Sequence, residues 1–195
     1  MNVNTFYKLM VKIKHFPRKQ ATLLIGIDGC GGSGKSTLAA RLKENLPGVT
    51  VVHMDDFYLP SNQKVVGSPE EKPVGADCDW RRVLHQVIEP LSRDQEGNYQ
   101  RYDWVKDALA EWHQVPVGGI VIIEGVYSTR NELLEYYDFT IWVETPRETR
   151  LSRGLERDGE EARDRWEKDW MVAEDIYVKA HKPHERADLV IAGTN

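Results

Sequence analysis

Gly29-Cys30-Gly31-Gly32-Ser33-Gly34-Lys35-Ser36 carries the spacing G-x-x-x-x-G-K-[ST], a pattern that grips phosphate largely through its own backbone. Successive N–H groups and the start of the next helix face the anion. Lys35 reaches the β- and γ-phosphates, and the Ser36 hydroxyl is placed to ligate Mg²⁺. Gly29, Gly31, Gly32, Ser33, Gly34, Lys35, Ser36 and Thr37 are therefore the expected contacts to ATP. Asp55-Asp56 comes directly after a second apolar run. Asp55 is the candidate base, able to accept a hydrogen bond from a substrate hydroxyl and take its proton late in the reaction; Asp56 is left for metal or water. Glu124 ends a third apolar run, where an acid touching Mg²⁺ directly or through water belongs. Arg147, Arg150, Arg153, Arg157, Arg163 and Arg165 come later, and their spacing puts Arg150, Arg153 and Arg157 on one helical face. Such a face closes over ATP and stabilises transition-state charge; the alternative is a solvated face paired with Glu156, Asp158, Glu160 and Glu161. Phosphoryl transfer needs a cradle, a metal, an orienting base and cations around the moving group. The chain offers a candidate for each.

These groups need a frame to bring them together. Residues 21–27 form an apolar run that reads as a buried strand, and 37–46 repeat apolar residues at helical spacing before Pro47-Gly48. A second strand is expected at 49–54, a loop without periodicity at 61–76, and a helix at 79–91. Residues 92–111 are polar and broken, with Tyr99, Tyr102 and Trp104 in short strands. Residues 119–125 are nearly all apolar, as in a strand buried on both faces. Thr129-x-x-Glu132 predicts a capped helix, and 137–143 another strand. Thr145-Pro146-Arg147-Glu148 is a stronger cap, with Thr145 at the N-cap. The helical pattern beyond it breaks near Asp158-Gly159, and a helical lid is expected over about 146–180. Residues 187–192 supply a last strand. Strands alternating with helices imply right-handed βαβ units. The expectation is an α/β P-loop NTPase fold, three-layer α/β/α, with a mostly five-stranded parallel sheet and sites at the carboxyl ends of its strands.

At 195 residues the chain suits a single domain over 1–195. Its net charge of −5 leaves no general footprint for nucleic acid. The first twenty residues hold five Lys/Arg and no acid; with Val3, Phe6, Met10 and Ile13 near helical spacing, residues 1–18 read as a basic helix packed on the domain rather than a membrane-surface segment. No apolar run is long enough to span a membrane, so no membrane partner is expected. Cys30 and Cys78 are too few for a disulfide framework, which implies a reducing, cytoplasmic setting.

The phosphate loop, Met54-Asp55-Asp56-Phe57-Tyr58, Tyr102-Asp103-Trp104, Ile123-Glu124-Gly125 and Arg153-x-x-x-Arg157-Asp158 occur in the order seen in uridine kinases. The chain resembles that family, and the wider group with phosphoribulokinase and pantothenate kinase, over roughly 21–192. The resemblance implies that Asp55 is the catalytic Asp, that Tyr58, Asp79 and Tyr102 hold ribose and base, and that Arg157 is a lid arginine. Two positions depart from the pattern. Similar uridine kinases carry a His shortly after the Tyr-Asp-aromatic element, where this chain has Asp107, and paired lid arginines where it has Arg153-Gly154.

The resulting expectation is an ATP- and Mg²⁺-dependent kinase acting on a primary hydroxyl of a small molecule, a nucleoside first. The runner-up is a kinase of a sugar phosphate or pantothenate-like compound. A P-loop ATPase or NTP switch ranks lower, since neither an N-K-x-D nor an L-S-G-G-Q element occurs. The sequence leaves the oligomeric state open, a homo-oligomer included.

Overall fold

A strand covered on both faces sends alternate side chains into two different cores. The computed structural model, which describes residues 3–193, has such strands at its centre. In chain order the elements are α1 (Val3–Lys14), β1 (Leu23–Asp28), α2 (Lys35–Asn45), β2 (Val49–His53), α3 (80–92), β3 (Gly97–Asp103), β4 (Ala108–Val115), β5 (Ile120–Glu124), β6 (Phe139–Glu144), α4 (Arg147–Asp158), α5 (163–181), α6 (Pro183–Arg186) and β7 (Leu189–Ala192). β1 and β5 are buried along their whole length. Leu23, Ile25, Ile27, Ile120 and Ile122 face a core shared with α1 and α2. Leu24, Val121 and Ile123 face the other, shared with Val83, Val87 and Ile88 of α3 and Tyr177 of α5.

The sheet runs β2-β5-β1-β6-β7 and every pairing in it is parallel. The five-stranded parallel sheet with helices on both faces is thus the fold expected from the alternation of apolar runs. Register sets the site: His53 of β2 and Ile27 of β1 both lie opposite Glu124 of β5, so the loops leaving these three strands emerge at one edge. β3 and β4 pair separately as an antiparallel hairpin, with Trp104 just beyond β3 in its turn. α1 packs through Phe6, Leu9 and Ile13, and Arg41 lies 4.1 Å over the Phe6 ring. Val3, counted in the apolar stripe from sequence, points outward instead, and residues 1 and 2 of the basic segment lie outside the described residues. Among the described residues no helix is long and apolar enough to cross a membrane.

Two caps differ from expectation. No α-helix comes after Thr129; the stretch is turns and a single 3₁₀ turn at Leu134–Tyr136. The capping groups are committed elsewhere, because the Thr129 N–H and hydroxyl both donate to Asp28 (2.9 and 2.8 Å) and Arg130 holds Glu132 with a two-pronged bridge. At α4 the N-cap is Pro146 and not Thr145. The Thr145 hydroxyl donates to the carbonyls of Ser33 and Glu144 instead, tying the helix start to the phosphate loop.

Candidate active site

The loop from Gly29 to Ser36 joins β1 to α2 and is shaped by backbone that side chains would obstruct. Gly32 has φ +74°, and a Cβ there would sit 2.5 Å from the Arg150 carbonyl oxygen. Only glycine takes this position without strain. Gly34 is the N-cap of α2, with Lys35, Ser36 and Thr37 in the first helical turn. Lys35 is buried and donates to the Cys30 carbonyl at 3.0 Å, which holds its ammonium across the loop. Burial and the neighbouring Glu174 carboxylate push the Cys30 thiol up to about 12, so it stays protonated. Beneath the loop, the fully buried Asp28 accepts from the Gly29 N–H, from Thr129 and from the Tyr177 hydroxyl (2.7, 2.9 and 2.6 Å).

Glu124, buried at the end of β5, accepts from the Ser36 hydroxyl at 3.2 Å through one oxygen and lies 2.5 Å from His53 Nδ1 through the other. The contact with Glu124 raises the His53 pKa. Asp55 stands next to this pair, in a 3₁₀ turn (Met54–Phe57) that continues β2. Its carboxylate meets solvent but is crowded by protein atoms. That crowding raises its pKa, Lys35 and Arg157 oppose the rise, and Glu124 adds to it. Asp56 turns away and accepts from the Tyr99 hydroxyl at 2.8 Å, so the two adjacent carboxylates have separate surroundings.

The arginine-rich helix α4 lies against the loop. Arg153 donates to the Gly32 carbonyl at 3.2 Å. Arg150 is buried and donates to Glu174 of α5 at 2.9 Å; the other oxygen of Glu174 accepts the Gly31 N–H at 2.7 Å. Arg157 forks onto the adjacent Asp158 (2.7 and 2.9 Å) while its charge acts on Asp55. Gly154, standing where similar uridine kinases pair a second arginine, makes room for Trp166: a Cβ there would lie 2.4 Å from the indole. Trp166 is itself packed against Gly31, so one aromatic ring joins α4 and the phosphate loop.

Toward the acceptor side, Asp79 caps α3 through the Arg82 N–H at 3.2 Å and faces the Arg82 guanidinium at 3.5 Å. Its own N–H bonds the Phe57 carbonyl, holding it beside the 54–58 turn. Tyr58, Tyr102 and Trp104 cluster their rings with centroids 4.7–6.5 Å apart, and Lys64 reaches over all three. The Tyr102 hydroxyl donates to Asp107 at 2.6 Å, and Asp107 also accepts the Ser61 N–H. Asp107 thereby fastens the 61–76 loop to the hairpin.

The structure therefore brings Lys35, Ser36, Asp55, Glu124 and Arg157 to one edge, and ranges Tyr58, Asp79 and Tyr102 beside it. Glu174, Asp28 and His53 were missed from sequence. His53 had a signal, since its place at the end of β2 matches that of Glu124 on the neighbouring strand.

The matching family model is described as the phosphoribulokinase/uridine kinase family and covers residues 24–191. A uridine kinase from Staphylococcus aureus (strain JH9) is 27% identical over 150 residues, 73% of this chain and 71% of its own. A solved structure described as a "Possible Uridine Kinase" from Bacillus stearothermophilus superposes with a TM-score of 0.75 at 23% identity, over 96% of this chain and 97% of the other. A candidate fructose transport system kinase from Silicibacter sp. gives 0.73 at 24% identity, over 95% and 98%; both structures share the fold. With the family model spanning sheet, loop and lid alike, the chain belongs to the phosphoribulokinase/uridine kinase family of kinases.

Proposed function

We propose that the protein is an ATP- and Mg²⁺-dependent kinase that moves the γ-phosphoryl group to a primary hydroxyl of a small molecule, with a nucleoside such as uridine or cytidine the first candidate. The observation that carries this reading is the meeting of Lys35, Ser36, Glu124 and Asp55 at the ends of three adjacent strands. The residues suit the ligands. Glycines put no side chains of their own over the loop, and Ser36 and Glu124 pair a hydroxyl with a carboxylate, the oxygen donors that Mg²⁺ takes together with phosphate and water. Bound there, Mg²⁺ neutralises charge on the transferring group.

Lys35 adds a fixed positive charge at the phosphate end, and Arg153 and Arg157 bring further charge from the lid. Asp55 accepts the acceptor's hydroxyl proton as that oxygen bonds to phosphorus and the bond from phosphorus to the departing ADP oxygen breaks. Tyr58, Asp79 and Tyr102 are assigned to the acceptor. Two free buried thiols, Cys30 and Cys78, suit a reducing, cytoplasmic setting.

A second reading keeps the chemistry and changes the acceptor to another hydroxylated metabolite. Asp107 favours it, because a carboxylate engaged with Tyr102 stands where nucleoside kinases of similar pattern carry His. A phosphorylation panel of uridine, cytidine, D-fructose and D-glycerate with ATP separates the two. Labelled nucleoside supports the first reading; labelling of a sugar or acid alone replaces it with the second.

A further inference from the structure

Tyr127 lies three residues beyond Glu124, in backbone that a bulky residue rarely adopts, with φ +72°. Strain of this kind persists where the surroundings over-determine it, and it clusters at ligand sites. The ring is almost wholly buried and stands edge-on to Tyr177 at 4.8 Å. Gly75 fits closely against it; a Cβ there would lie 3.3 Å from the ring. The hydroxyl, however, has no hydrogen-bond partner among the described residues and is not sealed from solvent. Four other tyrosines behave differently: Tyr99, Tyr102, Tyr137 and Tyr177 donate to Asp56, Asp107, the Ser128 carbonyl and Asp28.

Strand register places the segments around it. His53 lies opposite Glu124, so residues 54–58 and 125–127 leave the sheet side by side, with Gly125 pressed against Met54. The segment 75–78 crosses both, placing Gly75 on Tyr127 and bridging Cys78 to Tyr58. The Asp55 carboxylate and the Tyr58 hydroxyl are likewise without hydrogen-bond partners among the described residues. Tyr58 lies within electrostatic reach of both Asp55 and Tyr127, so three uncommitted polar groups gather beside the turn assigned to the acceptor. Burial, then the charge of Glu174, raises the Tyr127 pKa, so the phenol enters as a donor.

We propose that the Tyr127 hydroxyl binds the phosphate acceptor, donating a hydrogen bond to a second oxygen of the molecule whose reactive hydroxyl faces Asp55. The inference rests on the kinase reading and narrows it: the acceptor carries at least two neighbouring oxygens, as sugars and nucleosides do.

Tyr127→Phe keeps the ring and its packing, so it removes only the donor. With ATP and each of uridine, cytidine, D-fructose and D-glycerate as sole acceptor, the variant should raise the KM of whichever is phosphorylated about three- to tenfold, the loss of one neutral hydrogen bond. The kcat, the KM for ATP and the melting temperature should match wild type. An unchanged acceptor KM, or a KM for ATP that rises in step with it, overturns the role of Tyr127 and leaves the kinase reading intact. Wild-type turnover of none of the four overturns both.

Discussion

At Asp55 the protein sets a carboxylate between opposing influences. Crowding and Glu124 raise its pKa while Lys35 and Arg157 hold the rise in check. Only the carboxylate can take a proton, so kcat/KM for the acceptor should fall as pH drops through this raised pKa, at a higher pH than an ordinary aspartate would give. A pH–rate profile still flat near about pH 4 would remove Asp55 from the base role. Much of the residue-level site was legible because Lys35, Ser36, Asp55 and Glu124 sit at or just past strand ends, where short motifs announce themselves. Glu174 was not. Its partner Gly31 is 143 residues away, and nothing local distinguishes a glutamate that caps a phosphate loop from one in solvent. Tyr127 was silent for the same reason, since neither a positive φ nor an idle hydroxyl can be read from residue type.

The elements that hold the phosphate loop are α4 and α5. Arg150 and Glu174 are both nearly sealed from solvent, and Trp166 fills the gap left by Gly154, so α4, α5 and the phosphate loop pack as one unit. Removing one member of a buried pair strands the other charge, which costs roughly 3–5 kcal/mol. Glu174→Ala should therefore lower stability by about that amount in urea unfolding, with a smaller loss for Glu174→Gln, which keeps one acceptor oxygen for either Gly31 or Arg150. Equal stability of Glu174→Ala and wild type would show that the pair contributes nothing. Helical periodicity made α4 and α5 legible. Gly154 reads in sequence as a missing arginine, whereas in the fold an indole occupies the space. The cap at Thr129 misled because a hydroxyl that suits a helix start also suits a buried aspartate, and tertiary contact with Asp28 prevailed.

Across the whole molecule, the order β2-β5-β1-β6-β7 is what gathers Asp55, Glu124 and the phosphate loop, contributed by strands far apart in sequence. Strand alternation made that sheet legible. The separate β3–β4 hairpin was less so, because its outer residues mix polar groups with exposed Leu109 and Trp112 and so show no clean alternation. α1 joins the core through Phe6, Leu9 and Ile13, on the face shared with α2. Phe6→Ala should cost about 3–5 kcal/mol of stability and leave the KM for ATP and acceptor near wild-type values. A changed KM would give the basic N-terminal segment a part in the site. The measurement that bears on the whole scheme is transfer of label from [γ-³²P]ATP to the acceptor panel by wild type and by Asp55→Asn. The expected result is a phosphorylated acceptor formed by wild type and reduced by at least about 100-fold in the variant, with the KM for ATP little changed. Acceptor-independent phosphate release, undiminished by Asp55→Asn, would contradict it.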